Sequence, residues 1–143
     1  MKNTGARLVL MLLIICLMLS SCSLNREHIE LPDVNDIEAV SIEYFNTESI
    51  VVETDSAIER IYDSLSSARA VRTEKDIPTG GSFFTITIFD NDGGESTLGY
   101  YQCAPSSGFM FIGGERYEVS RCDMEGVWED VQMSEEGKVK SEE

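Results

Sequence analysis

The sequence predicts an α+β domain, one curved antiparallel sheet with helices covering a face. Three observations carry this. Several short runs alternate apolar and polar residues with the two-residue period of a half-buried strand. Two runs switch to the 3.6-residue period of an amphipathic helix. Consecutive strand runs near the middle and end of the chain are separated only by turn residues, which favours antiparallel pairing. The order is β-β-α-β-β-β-β-β-α. A partly closed barrel satisfies the same order.

Each element follows from its residues. Ala39 to Phe45 alternates, with Val40, Ile42 and Tyr44 on one side and Ser41 and Glu43 on the other. Asn46-Thr47-Glu48 reads as a turn, and Ser49 to Glu53 returns as a short β-branched strand, so the pair forms a hairpin. From Thr54 to Ser67 the period changes: Ile58, Ile61, Tyr62 and Leu65 share one helix face. Ser56 with Glu59 fits a capping box, and Asp55 is the alternative cap. Arg69 to Glu74 reads as a strand. Lys75 to Gly81 is a loop punctuated by Pro78 and two glycines.

Ser82 to Phe89 is the strongest strand, with Phe84, Ile86 and Ile88 alternating against Phe83, Thr85, Thr87 and Phe89. Both its faces carry apolar residues. One face needs a helix and the other needs a further cover, an end helix or a partner. A turn at Asp90 to Gly94 leads into Ser96 to Cys103. After the loop Ala104 to Ser107, the strands Phe109 to Ile112 and Glu115 to Ser120 flank Gly113-Gly114, a favourable hairpin turn. Asp123 is placed to cap a last helix with Met124, Val127, Trp128 and Val131 on one face.

The chain has 143 residues, enough for one small domain, and 42% are apolar, enough for a packed core. Asp and Glu number 26 and Lys and Arg 11, a formal charge of -15. Phosphate contacts need clustered Lys and Arg, so a nucleic-acid partner is excluded. The acidic charge is scattered along the sequence and reads as a solvated surface.

The first residues carry an address. Lys2 and Arg7 precede an uncharged apolar run from Leu8 to Leu19. At about 1.5 Å per residue this run is roughly 18 Å long, too short for a hydrocarbon core of about 30 Å. It suits the h-region of a signal peptide. Leu19-Ser20-Ser21-Cys22 follows and resembles the bacterial lipobox. The resemblance implies that the signal is cleaved before Cys22 and that Cys22 carries the lipid. The expected layout is a lipoprotein signal peptide at 1–21, a tether at 22–36, the domain at 37–132 and a charged flexible tail at 133–143. Cleavage removes two basic residues and no acids, so the mature charge is -17. An anionic bilayer repels such a domain, and the lipid must supply the attachment. The expected location is the outer face of the cell membrane, or the outer membrane in a two-membrane cell.

The lipobox, the Pro-Asp tether, the first hairpin, the single helix after it, the Asp76-Ile77-Pro78 loop and the Gly-Gly hairpin with Tyr117 together resemble a group of small uncharacterised Firmicutes lipoproteins, classed only as a domain of unknown function. That resemblance implies surface attachment and supplies no catalytic residues.

The chemistry-bearing residues are few. Cys16 lies in the signal and Cys22 takes the lipid, which leaves Cys103 and Cys122. In an exported chain these suggest a disulfide closing a loop of about 20 residues, with two free thiols as the alternative. Asp90 to Glu95 begins like a calcium loop, but position 12 would be Tyr101 rather than Glu, so a hairpin turn accounts for it. Thr79-Gly80-Gly81 lacks the Lys of a phosphate-binding loop. Phe83, Tyr100, Tyr101, Phe109 and Phe111 have strand spacing, which fits sheet packing before a ligand pocket. The only histidine, His28, falls in the tether, so no Ser-His-Asp set or histidine metal motif exists. The sequence therefore points to a non-enzymatic lipoprotein without cofactor or metal that binds an envelope or exported protein. A small-ligand or metal-ion-binding domain is the alternative.

Overall fold

A computed structural model of the chain describes residues 28–135. The expected signal peptide at 1–21, Cys22, the first part of the expected tether and the expected tail beyond residue 135 lie outside the described residues. A short 3-10 turn, Val34–Asp36, is the first element of the described residues. Seven strands follow: β1 (Ile37–Tyr44), β2 (Glu48–Val52), β3 (Arg69–Arg72), β4 (Ser82–Asp90), β5 (Glu95–Ala104), β6 (Ser107–Ile112) and β7 (Glu115–Ser120). Helix α1 (Asp55–Ser66) lies between β2 and β3, and α2 (Met124–Glu135) follows β7. The element order is the one the periodicity predicts.

All pairings are antiparallel, in one sheet of order β2-β1-β4-β5-β6-β7-β3. The turns have local causes. Phe45 and Asn46 both sit at positive φ, 49° and 55°, and the Thr47 N–H bonds the Tyr44 carbonyl at 3.0 Å. Gly113 and Gly114, at 58° and 82°, make the two-residue turn between β6 and β7. Register shifts between Ile37 and Ala39 and between Gln102 and Ala104 mark two bulges, which bend their strands.

Both helices pack on one face of the sheet. Ile58, Ile61 and Leu65 of α1 and Met124, Val127, Trp128 and Val131 of α2 are buried there against Ile42, Phe84, Ile86, Tyr100 and Met110. Each such side chain contributes about 1.5–3 kcal/mol relative to exposure. Tyr62 is only partly buried, because it sits at the margin of the α1 stripe.

Two local expectations need correcting. The N-cap of α1 is Thr54, in extended geometry and without a side-chain cap bond, rather than Ser56 or Asp55. The segment expected to be tether is docked from Ile29 onward: Ile29, Leu31 and Val34 pack against the core. Their spacing is too irregular to read as helix or strand, so no period marks the segment. Within this segment Asp33 accepts from the Asn35 backbone N–H at 2.9 Å, which holds its carboxyl below the usual range.

Candidate functional site: the helix-free sheet face

Alternation along β4, β5 and β6 sends one set of side chains to the helices and the other to the opposite face. Among the described residues no helix covers that second face. The register places Phe83 opposite Tyr101, Tyr101 opposite Phe109, and Phe109 opposite Glu118. Glu118 in turn faces Val71. The result is an aromatic row running across three strands to a charged edge. Phe111 lies diagonally from Phe83, with ring centroids 6.3 Å apart. Gly99 permits this approach: a Cβ there would sit 3.1 Å from the Phe83 ring. Tyr101 lies over Gly81 and accepts its backbone N–H at 2.6 Å. Phe109 is only 6% exposed, while Phe83, Tyr101 and Phe111 are half-buried. Beside Phe109 a groove of about 420 Å³ is lined by Arg69, Val71, Cys103, Ser107 and Glu118.

The two cysteines are not brought together. Cys103 is exposed at the bulge of β5 and lines this groove; its thiol donates to the Ser107 carbonyl at 3.9 Å. Cys122 is buried on the helix side, 3.9 Å from the Ser64 hydroxyl. Burial pushes the Cys122 thiol up to about 11. Both thiols are free, on opposite sides of the sheet. Tyr100, also on the helix side, donates its hydroxyl to the Cys122 carbonyl at 2.8 Å, and burial raises its own pKa.

The loop residues serve turns. Asp90 Oδ1 accepts from the backbone N–H of Asp92 at 3.1 Å and of Gly94 at 2.6 Å, so its carboxylate is committed to the hairpin. Thr79 and Gly80 are exposed beside the sheet. His28 is exposed and, with Ile29 and Glu30, lines a cavity against Ala70, Ile112 and Tyr117. Among the described residues no group of three or more His, Cys, Asp or Glu side chains is arranged to hold a metal ion. Nor is any helix there long and apolar enough to cross a membrane.

One cleft was missed by sequence reasoning. Between the β1–β2 hairpin and α2, Glu48, Glu125, Glu129 and Gln132 wall a space of about 520 Å³ above Tyr44, Phe84 and Trp128. Tyr44 and Trp128 stack at 5.7 Å, and Ser82 donates its hydroxyl to Glu125. Glu125 and Glu129 are four residues apart on α2, so their shared helix face was readable. Their meeting with Glu48 required the tertiary fold.

Comparison with known proteins fits the fold to a relative and a family. An NMR structure of a protein from Ruminococcus gnavus superposes with a TM-score of 0.52 at 19% identity, covering 71% of this chain and 99% of that one. That likeness shows the shared fold. No curated protein matches the chain. The model of the DUF5301 family, described as a domain of unknown function (DUF5300), matches residues 25–117, more than half of the sequence, and the chain therefore belongs to that family.

Proposed function

We propose that this chain is an extracytoplasmic lipoprotein, held on the outer face of a membrane by lipid on Cys22, whose helix-free sheet face binds another exported or envelope protein. It works by binding rather than by catalysis. The observation that carries the reading is the aromatic row Phe83, Tyr101 and Phe109, with Phe111 beside it, on a face that no described helix covers. Aromatic side chains supply large contact area at low entropic cost and are enriched at protein interfaces. A photo-crosslinking residue at Phe111, on intact cells, should yield one discrete adduct. The same residue at Met133, exposed on α2, should not. Identical adduct patterns from both positions, or none from either, would sink the protein-binding reading.

A second reading rests on the acidic cleft. Three glutamates around an aromatic floor suit a small organic cation. Trp128 is the only tryptophan, so its fluorescence reports the cleft without background. Saturable change on titration with choline or putrescine, lost in Glu125→Gln/Glu129→Gln, supports this reading. A flat titration removes it.

A further inference from the structure

The charges of the described residues are segregated by the fold. Six Lys and Arg residues occur between residues 28 and 135, and five of them are Arg69, Arg72, Lys75, Arg116 and Arg121. These lie on β3, β7 and the residues just after each, because β3 pairs with β7 at one end of the sheet. Five anions accompany them: Glu30, Glu74, Asp76, Glu115 and Glu118. The rest of the described chain holds a single cation, Arg60, against seventeen anions. One sheet edge is thus near neutral and rich in arginine, and the body behind it is strongly negative. The same edge exposes Val71 (42%).

The course of the N-terminal segment gives this edge a neighbour. His28, Ile29 and Glu30 run against Ala70 of β3 and Tyr117 of β7. Six residue steps separate His28 from Cys22, a reach of at most about 20 Å. A lipid on Cys22 therefore keeps this end of the sheet within reach of the bilayer. On an anionic surface the negative body is repelled, while the arginines can bond lipid phosphates. The ion pairs Arg72–Glu115 (2.5 Å) and Lys75–Glu118 (2.7 Å) are exposed and of the weak kind that exchanges partners readily.

We infer that the β3–β7 edge is a membrane-facing surface that docks on anionic lipid headgroups and orients the anchored domain, turning its acidic body away from the bilayer. This rests on the lipid-anchor reading and adds an orientation to it.

The test uses the full mature protein, purified from membranes with whatever it carries on Cys22 and reconstituted into vesicles. Intact mass first establishes the lipid. A fluorophore on Cys103, in the groove beside Arg69, then reports energy transfer to a headgroup-labelled lipid. A second sample carries the fluorophore at the far edge, as Val51→Cys in a Cys103→Ser background. In vesicles with about 30% phosphatidylglycerol, transfer from Cys103 should exceed that from the far edge by about twofold or more. The difference should shrink in phosphatidylcholine, in about 0.5 M NaCl, and in Arg72→Glu/Lys75→Glu. The salt arm needs no substitution, so a misfolded variant does not decide the result. A lipidated protein with equal transfer from both edges, or with a difference indifferent to lipid charge and salt, overturns the orientation alone. A chain with no lipid on Cys22 overturns both readings.

Discussion

Gln102 completes the cap that Asp123 begins. The Gln102 Oε1 accepts from the backbone N–H of Met124 at 2.8 Å and of Glu125 at 3.1 Å. Its Nε2 donates to Asp123 Oδ1 at 2.9 Å, and that same oxygen accepts from the Gly126 N–H at 3.1 Å. Three of the four N–H groups that a helix start leaves unpaired are satisfied by two side chains. One of those side chains, 2% exposed, comes from the middle of the sheet. The last helix is thereby fixed to β5 by hydrogen bonds as well as by packing.

Removing this amide should cost more than an ordinary cap. Gln102→Ala leaves two N–H groups near the core unpaired, and unfolding stability should fall by about 2–4 kcal/mol. Asp123→Ala should cost about 1 kcal/mol. Because the two side chains share a bond, the double variant should lose less than the two single losses added together. Urea unfolding followed through Trp128 measures all three. A Gln102→Ala loss below that of Asp123→Ala would contradict the assignment.

Two glycines should differ sharply on substitution. A Cβ at Gly108 would run into the backbone carbonyl of Tyr101, which cannot move without breaking the β5–β6 ladder. At Gly99 the nearest atom belongs to the Phe83 ring, which can turn aside. Gly108→Ala should destabilise by about 2 kcal/mol or more, and Gly99→Ala by clearly less. Thermal midpoints of the two variants under identical conditions give the order.

The thiols should react in two well-separated classes. In the folded chain Cys103 should titrate with Ellman's reagent as one fast equivalent. Cys122, buried and with its pKa raised to about 11, should react only after denaturation. The assay is made on a chain beginning at Ser23, which carries neither Cys16 nor Cys22. Absence of any fast equivalent under native conditions would mean that Cys103 is not free.

Alkali should weaken the fold through the same burial. The Cys122 thiol ionises near 9.0 when unfolded and near 11 when folded, so the folded state favours its protonated form. Its contribution is intact below pH 9 and is lost as pH rises from 9 toward 11. The slope is at most about 1.4 kcal/mol per pH unit. Tyr100 is also raised, from an ordinary value of 10.0, so its contribution declines only above that pH. Cys122→Ala should flatten the stability profile between pH 9 and 10 in chemical denaturation. An unchanged slope there would assign the alkaline loss elsewhere.

Much of the fold was legible, for reasons visible in single residues. The alternation of Phe84, Ile86 and Ile88 and the helical spacing of Met124, Val127, Trp128 and Val131 report burial directly, because both elements are half-buried. The same parity shows why a Cys103–Cys122 bridge does not form. Tyr100 and Gln102 face the helices, so Cys103, one residue on, faces away. Sequence separation measures loop length and says nothing about side. Gln102 itself sits where a core residue should, and nothing local marks it as a cap for a helix 22 residues later. The collection of cations was equally hidden. They look scattered along the chain until β3 pairs with β7, which sets Arg72 opposite Tyr117, 45 residues on.

The strand order also sets a timetable. The sheet's middle is β4-β5-β6-β7, four strands joined by short turns, while β1–β2 and β3 attach to its opposite edges. A ribosome delivers those edge pieces first. A lone hairpin is marginal in water, and so is an isolated helix of 12 residues such as α1. Neither can persist until the later strands exist. The first half of the domain therefore has no sheet to join until β4–β7 have been made.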